Sequence, residues 1–174
     1  MAEIDVTLYF GFLGIITAIA IAIFSPYYIN ILDKQKRKKA LKSALKYETH
    51  KNFLECQEKK GFILNFLQEL EKGDTGKTPA IYGYLHYTAY ESFVLSGFLI
   101  EEDVMIQEII EIIYDEYHTV SHFLATDRDL MTFFKDKPEL LRLNKIVIFK
   151  EFIEAVNEVE QHKSTFDSIF DVNK

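Results

Sequence analysis

Asp115, His118 and His122 are the residues of this 174-residue chain best spaced for chemistry. Asp115 and His118 stand three apart and His118 and His122 four apart, so a helix would bring all three onto one face. Two imidazoles and a carboxylate suit zinc or non-haem iron. A di-iron bundle would need Glu-x-x-His on a second helix. Glu158 and His162 come nearest to that pattern, but they are four residues apart. His86 could add a ligand only if packing aimed it at the others. The competing reading is a solvated stripe, with Glu108 and Glu111 continuing it, in which carboxylates pair with histidines. That plain reading is the expected one, so no cofactor is expected, and zinc or iron is the alternative.

Other reactive patterns fall away on spacing. Gly76-Lys77-Thr78 suggests a phosphate loop, but the full motif needs a glycine where Glu71 stands and a preceding strand. The same residues read better as a cap at Thr78 and a helix start at Pro79. Cys56, the single cysteine, lies among Phe53, Leu54 and Ile63 and reads as a small core residue. No serine sits in a glycine-rich elbow, so no nucleophilic triad is indicated.

The elements that would position these side chains are helices. The chain is 48 % apolar with seven Gly and three Pro, and no stretch after residue 33 alternates at period two. A first helix is expected to run to about Leu70, with Leu41, Leu45, Cys56, Ile63 and Leu67 near one stripe. The second, from Thr78 to about Leu99, is apolar nearly all round and should be the most enclosed. Its aromatics between Tyr82 and Tyr90 could line a ligand pocket, with plain core packing the expected reading. The third begins near Glu102 and Asp103, with a seam through Ile106, Ile110, Ile113, Tyr117, Val120 and Leu124. A capping box at 126–129 predicts a restart. Pro138 opens the last helix, whose seam runs Leu141, Lys145, Ile148, Phe152, Ala155, Val159, His162, Phe166 and Ile169. The fold class is all-α, with these helices as an up-and-down four-helix bundle.

Charge is unevenly placed. The formal net charge is −7, yet residues 34–46 carry seven basic side chains. Residues 47–174 hold 13 basic and 24 acidic side chains, a net of −11, which excludes a nucleic-acid partner because phosphate needs a basic face. No charged residue occurs from Val6 to Leu32. Its most apolar part, Val6 to Phe24, would form a helix of about 28 Å, near the roughly 30 Å of a bilayer core. Tyr27 and Tyr28 suit the headgroup zone, and Lys34, Lys36, Arg37, Lys38 and Lys39 would hold that flank on the cytoplasmic side. Gly14, Ala18 and Ala22 form a small-residue stripe fit for helix–helix approach in the membrane. The expected order is a short external N-terminus (1–5), a transmembrane helix and interface (6–32), a basic juxtamembrane segment (33–46) and an acidic cytoplasmic bundle (47–174). The expected localisation is the cell membrane, single-pass, N-terminus outside.

Glu48 and Asn52 in YETHKNF, and YESFVLSGFL from Tyr90 to Leu99, complete a pattern with the span and its basic stop. It resembles a loose group of single-span, membrane-anchored helical-bundle proteins of bacteria and archaea. The resemblance covers roughly residues 5–120 and implies architecture only. The function expected from all this is a membrane-anchored interaction or regulatory module, with a place in a membrane complex as one form of it. Its partners would be the bilayer and a second copy or another membrane protein. The alternative is a metal-binding sensor or enzyme on the Asp115/His118/His122 face.

Overall fold

The structure, a computed structural model, describes residues 6–73 and 83–171, without the side chains of residues 6–16, 20, 23 and 171. The described residues form four helices and no strand: α1 (Val6–Glu71), α2 (Thr88–Leu95), α3 (Val104–Phe133) and α4 (Pro138–Asp171). The fold is an all-helical bundle. The chain divides into two compact units, Met1–Leu41 and Lys42–Lys174.

In the second unit each long helix buries one stripe. α1 contributes Leu45, Cys56, Ile63 and Leu70, and the spacing stays in phase because Glu48, Thr49 and Asn52 fill the intervening buried positions. The expected α3 seam is buried at Ile110, Ile113, Tyr117, Val120 and Leu124, and the α4 seam at Leu141, Lys145, Phe152, Ala155, Val159 and Phe166. Polar ties hold the stripes in register. Lys60 Nζ reaches Asn157 Oδ1 at 2.7 Å and Glu160 Oε1 at 2.9 Å, joining α1 to α4. The Arg142 guanidinium donates at 2.8 Å to the Leu70 carbonyl, which at the end of α1 also accepts the Gly73 N–H at 3.1 Å.

The helix ends follow local chemistry. Asp103 caps α3 by accepting the Met105 N–H at 2.9 Å. Gly97, at φ +74°, closes α2 and donates its N–H to the Val94 carbonyl at 2.9 Å. Pro138 occupies the first position of α4, where its missing N–H costs nothing.

Expectations for three elements are corrected. The second helix does not start at Pro79: residues 83–87 are non-helical and α2 has only 8 residues. The proposed cap at Thr78, like the rest of residues 74–82, lies outside the described residues. Nor is α2 the most enclosed element, since Leu95 is 87 % exposed. α3 does not restart at 126–129. Asp127, inside the expected capping box, is buried against Lys145, and the hydroxyl of Thr126, the expected cap, donates back to the His122 carbonyl at 2.9 Å, a bond that a continuing helix permits.

The membrane assignment is the third. Among the described residues no helix is long and apolar enough to cross a membrane. Ser25, Pro26 and Asn30 interrupt the apolar run ahead of the charge at Asp33. The transmembrane helix over 6–32, and with it the single-pass localisation with an outside N-terminus and a cytoplasmic bundle, is not upheld. Gly14 lies outside the residues whose side chains are described; Ala18 and Ala22 are exposed on α1, as are Tyr27, Tyr28, Lys34, Lys36, Arg37 and Lys39, while Lys38 is half-buried.

Candidate functional site

The polar interior of the second unit is built around the segment between residues 83 and 90. Asn52, buried on α1, meets the backbone of His86 with both ends of its amide. Its Nδ2 donates to the His86 carbonyl at 2.7 Å, and its Oδ1 accepts the His86 N–H at 2.8 Å. One turn earlier, the buried Glu48 carboxylate accepts the Ala89 N–H at 2.8 Å and the Tyr90 N–H at 3.1 Å. These are first-turn donors of α2. Tyr87, the residue at the N-cap position, supplies no side-chain cap, so Glu48 provides the acceptor and the negative charge from another helix. Two residues four apart on α1 thus fix five residues in a non-helical path and start the next helix.

Tyrosines complete the network. The Tyr114 hydroxyl donates to Glu48 Oε1 at 2.8 Å and lies 3.3 Å from Thr49 Oγ1. Tyr117 donates to the Thr49 carbonyl at 2.7 Å. Tyr87 donates to the Tyr117 carbonyl at 2.9 Å and lies 2.7 Å from Ser121 Oγ. The Tyr90 ring stacks on Tyr114 with centroids 4.2 Å apart. Burial pushes the hydroxyls of Tyr87, Tyr90, Tyr114 and Tyr117 above the ordinary tyrosine range. They therefore remain neutral donors, whereas a tyrosine base or nucleophile needs the opposite shift. The arrangement holds backbone in place.

Cys56 is equally unreactive. Burial, with the Glu55 charge adding to it, pushes its thiol up to about 12, and a thiol that does not ionise is a poor nucleophile and metal ligand.

The Asp115/His118/His122 stripe faces outward, with all three residues exposed. The His118 ring lies flat on Tyr87, centroids 4.3 Å apart and planes 1° from parallel. His122 meets the edge of Phe123 at 6.1 Å. Among the described residues no group of three or more His, Cys, Asp or Glu could hold a metal ion. His86 enters the network through its backbone alone. His162 keeps a buried Nδ1 with no hydrogen-bond partner. Beside the stripe, Glu116 is held up at about 7 by burial, by the charge and hydrogen bond of Glu158, and by the Asp115 charge.

A second buried polar pair lies at the α3–α4 seam. Lys145 Nζ is 3.0 Å from Asp127 Oδ1, with the lysine side chain 0 % and the aspartate 2 % exposed. The ammonium also lies 5.5 Å from the centroid of the Phe149 ring. Lys145 is legible in the sequence as a seam position; its partner is not, because Asp127 lies within a run that also reads as a capping box.

One concavity adjoins the clamped segment. It is a half-open cleft of about 290 Å³ lined by Gly83, Tyr84, Leu85, Tyr87, Ser121, Leu124, Ala125 and Arg128. Compared with protein-family models, with curated proteins and with solved structures, the chain matches none.

Proposed function

We propose that the chain is a helical interaction module, one that acts by binding another protein surface and not by catalysis. The observation that carries this reading is the apolar surface left in water around the connection from α2 to α3. Leu95 is 87 %, Ile100 81 %, Met105 72 % and Val104 63 % exposed. A bundle that needs its core alone for stability gains nothing from large apolar side chains at these positions. Clusters of them mark partner surfaces.

The test is recovery of the full chain from its native host under mild conditions, beside the Leu95→Asp/Ile100→Asp variant. A stoichiometric protein partner, or a second copy, held by the wild type and lost from the variant supports the proposal. Wild-type chain recovered alone and monomeric refutes it, as does a partner that both forms retain equally.

A further inference from the structure

We infer that the cleft between residues 83–87 and the C-terminal half of α3 is a binding site for a small organic anion with an apolar body. The inference concerns a different surface from the α2–α3 connection and stands independently of the interaction reading. Its walls are set before any ligand arrives. One wall is the extended segment, pinned at His86 by Asn52 and at Tyr87 by the α3 backbone. The other is a continuous helical face carrying Ser121, Leu124, Ala125 and Arg128. A site whose backbone is already fixed loses little order on binding.

The chemistry of the lining selects the ligand. Leu85 and Leu124 are buried and make an apolar floor, and Ala125 leaves room above it. Tyr84, 80 % exposed, offers an aromatic face at the rim. Among the described lining residues Arg128 is the one charged side chain, and none is a carboxylate. Its guanidinium Nε lies 3.9 Å from Asp129 Oδ1, with both side chains more than half exposed. Such a pair is weak and leaves the guanidinium fork available. Glu55 and Lys59, which approach Gly83 from α1, are paired with each other at 3.3 Å. In a chain of net charge −7, a concavity whose described lining carries a positive charge and no negative one favours an anion locally. At about 290 Å³ the cleft is at the lower edge of small-ligand sites, which run from roughly 300 Å³ upward. It suits a single ring with a short carboxylate arm.

The probes are 3-phenylpropanoate and its neutral amide, titrated into the ¹⁵N-labelled full chain and followed by amide shifts. The carboxylate should bind with a Kd on the order of 1 mM, as expected for so small a ligand. Shifts should concentrate in residues 83–87 and 121–128. The amide should bind about fivefold more weakly, and Arg128→Gln should remove that difference, the worth of one half-exposed charge pair. Ala125→Phe, a change at an exposed position, should weaken both probes by tenfold or more. If that variant does not fold, the Arg128→Gln comparison decides alone. The inference is overturned if no saturable shift appears, if the shifts lie elsewhere, or if carboxylate and amide bind the wild type equally. Undiminished binding to folded Ala125→Phe overturns it too.

Discussion

Removing the Glu48 carboxylate should cost the bundle a large part of its stability, although Glu48 touches no other charged side chain in the network described above. Glu48→Ala deletes three accepted hydrogen bonds: the Ala89 N–H at 2.8 Å, the Tyr90 N–H at 3.1 Å and the Tyr114 hydroxyl at 2.8 Å. The first two constitute the cap of α2, worth about 1 kcal/mol. The third strands a buried hydroxyl whose other contact, Thr49 Oγ1, is longer at 3.3 Å. Losing a charged acceptor there costs about 2 kcal/mol. The expected loss is thus about 3 kcal/mol, from a total that for a single domain is of order 5–15 kcal/mol. Asn52→Ala removes the two bonds to His86, about 1 kcal/mol each.

The double variant separates a clamp from two unrelated contacts. If Glu48 and Asn52 hold one segment, releasing it once leaves less for the second substitution to release, and the double variant should cost about 1–2 kcal/mol less than the sum. Urea unfolding followed at 222 nm gives the three free energies. Amide exchange adds a local readout: Ala89 and Tyr90 should lose protection in Glu48→Ala well beyond the global change. A Glu48→Ala cost under about 1 kcal/mol, or strict additivity of the pair, would refute the reasoning.

The acid pair of α3 and α4 predicts a pH dependence. Glu116 is raised from 4.5 to about 7, so the folded chain binds this proton more tightly than the unfolded chain. Its favourable contribution is fully present below about 4.5 and is lost as pH rises through about 7. Glu116→Gln should flatten that fall, read as the difference in urea midpoint between pH 5 and pH 8; an unchanged slope would sink the assignment. Cys56, held near 12, should resist a disulfide reagent at pH 8 in the native chain and react promptly in urea, and rapid native labelling would contradict its burial. Asp127→Leu should cost about 3–5 kcal/mol by removing the carboxylate paired with the buried Lys145 ammonium, whereas Asp127→Leu/Lys145→Met should fall within about 1 kcal/mol of wild type or exceed it. A mild single variant in thermal or urea melts would show that the lysine finds another route to water.

The seams were legible because helical spacing reports burial directly. Ile110, Ile113, Tyr117, Val120 and Leu124 repeat at threes and fours, and so do the α4 positions, whatever packs against them. Two kinds of information were not legible. One was the identity of polar partners. Asp127 sits in a run, Thr-Asp-Arg-Asp, that serves equally well as a cap or as an ordinary helical turn, and only Lys145 across the seam decides between them. The other was the conformation of the aromatic segment. From Gly83 to Tyr87 the chain has no strong local preference against helix, and the periodicity there continues that of the residues after it. The signal that could have shown the break was on α1: an acid and an amide, Glu48 and Asn52, standing four apart with Thr49 on a stripe whose other buried members are apolar. A buried pair of that kind must be satisfied, and unpaired backbone is its natural partner.

That partnership also explains why a cleft exists at all. Had residues 83–87 been helical, their N–H and C=O groups would have been consumed within the helix. Asn52 would then have been buried with neither donor nor acceptor, and Glu48 would have had no helix start to cap. Held open instead, the segment spends its polar groups on α1, turns Tyr87 into α3 and leaves Tyr84 outside. Those same choices leave a cleft of about 290 Å³ beside Leu124 and Ala125. The clamp and the cleft are therefore linked in energy. A ligand that fills the cleft should slow exchange at Ala89 and Tyr90, and Asn52→Ala should weaken 3-phenylpropanoate without touching any residue that lines its site. Equal affinity in Asn52→Ala and wild type would show that the segment keeps its path unaided, and that the amide of Asn52 follows the backbone and does not fix it.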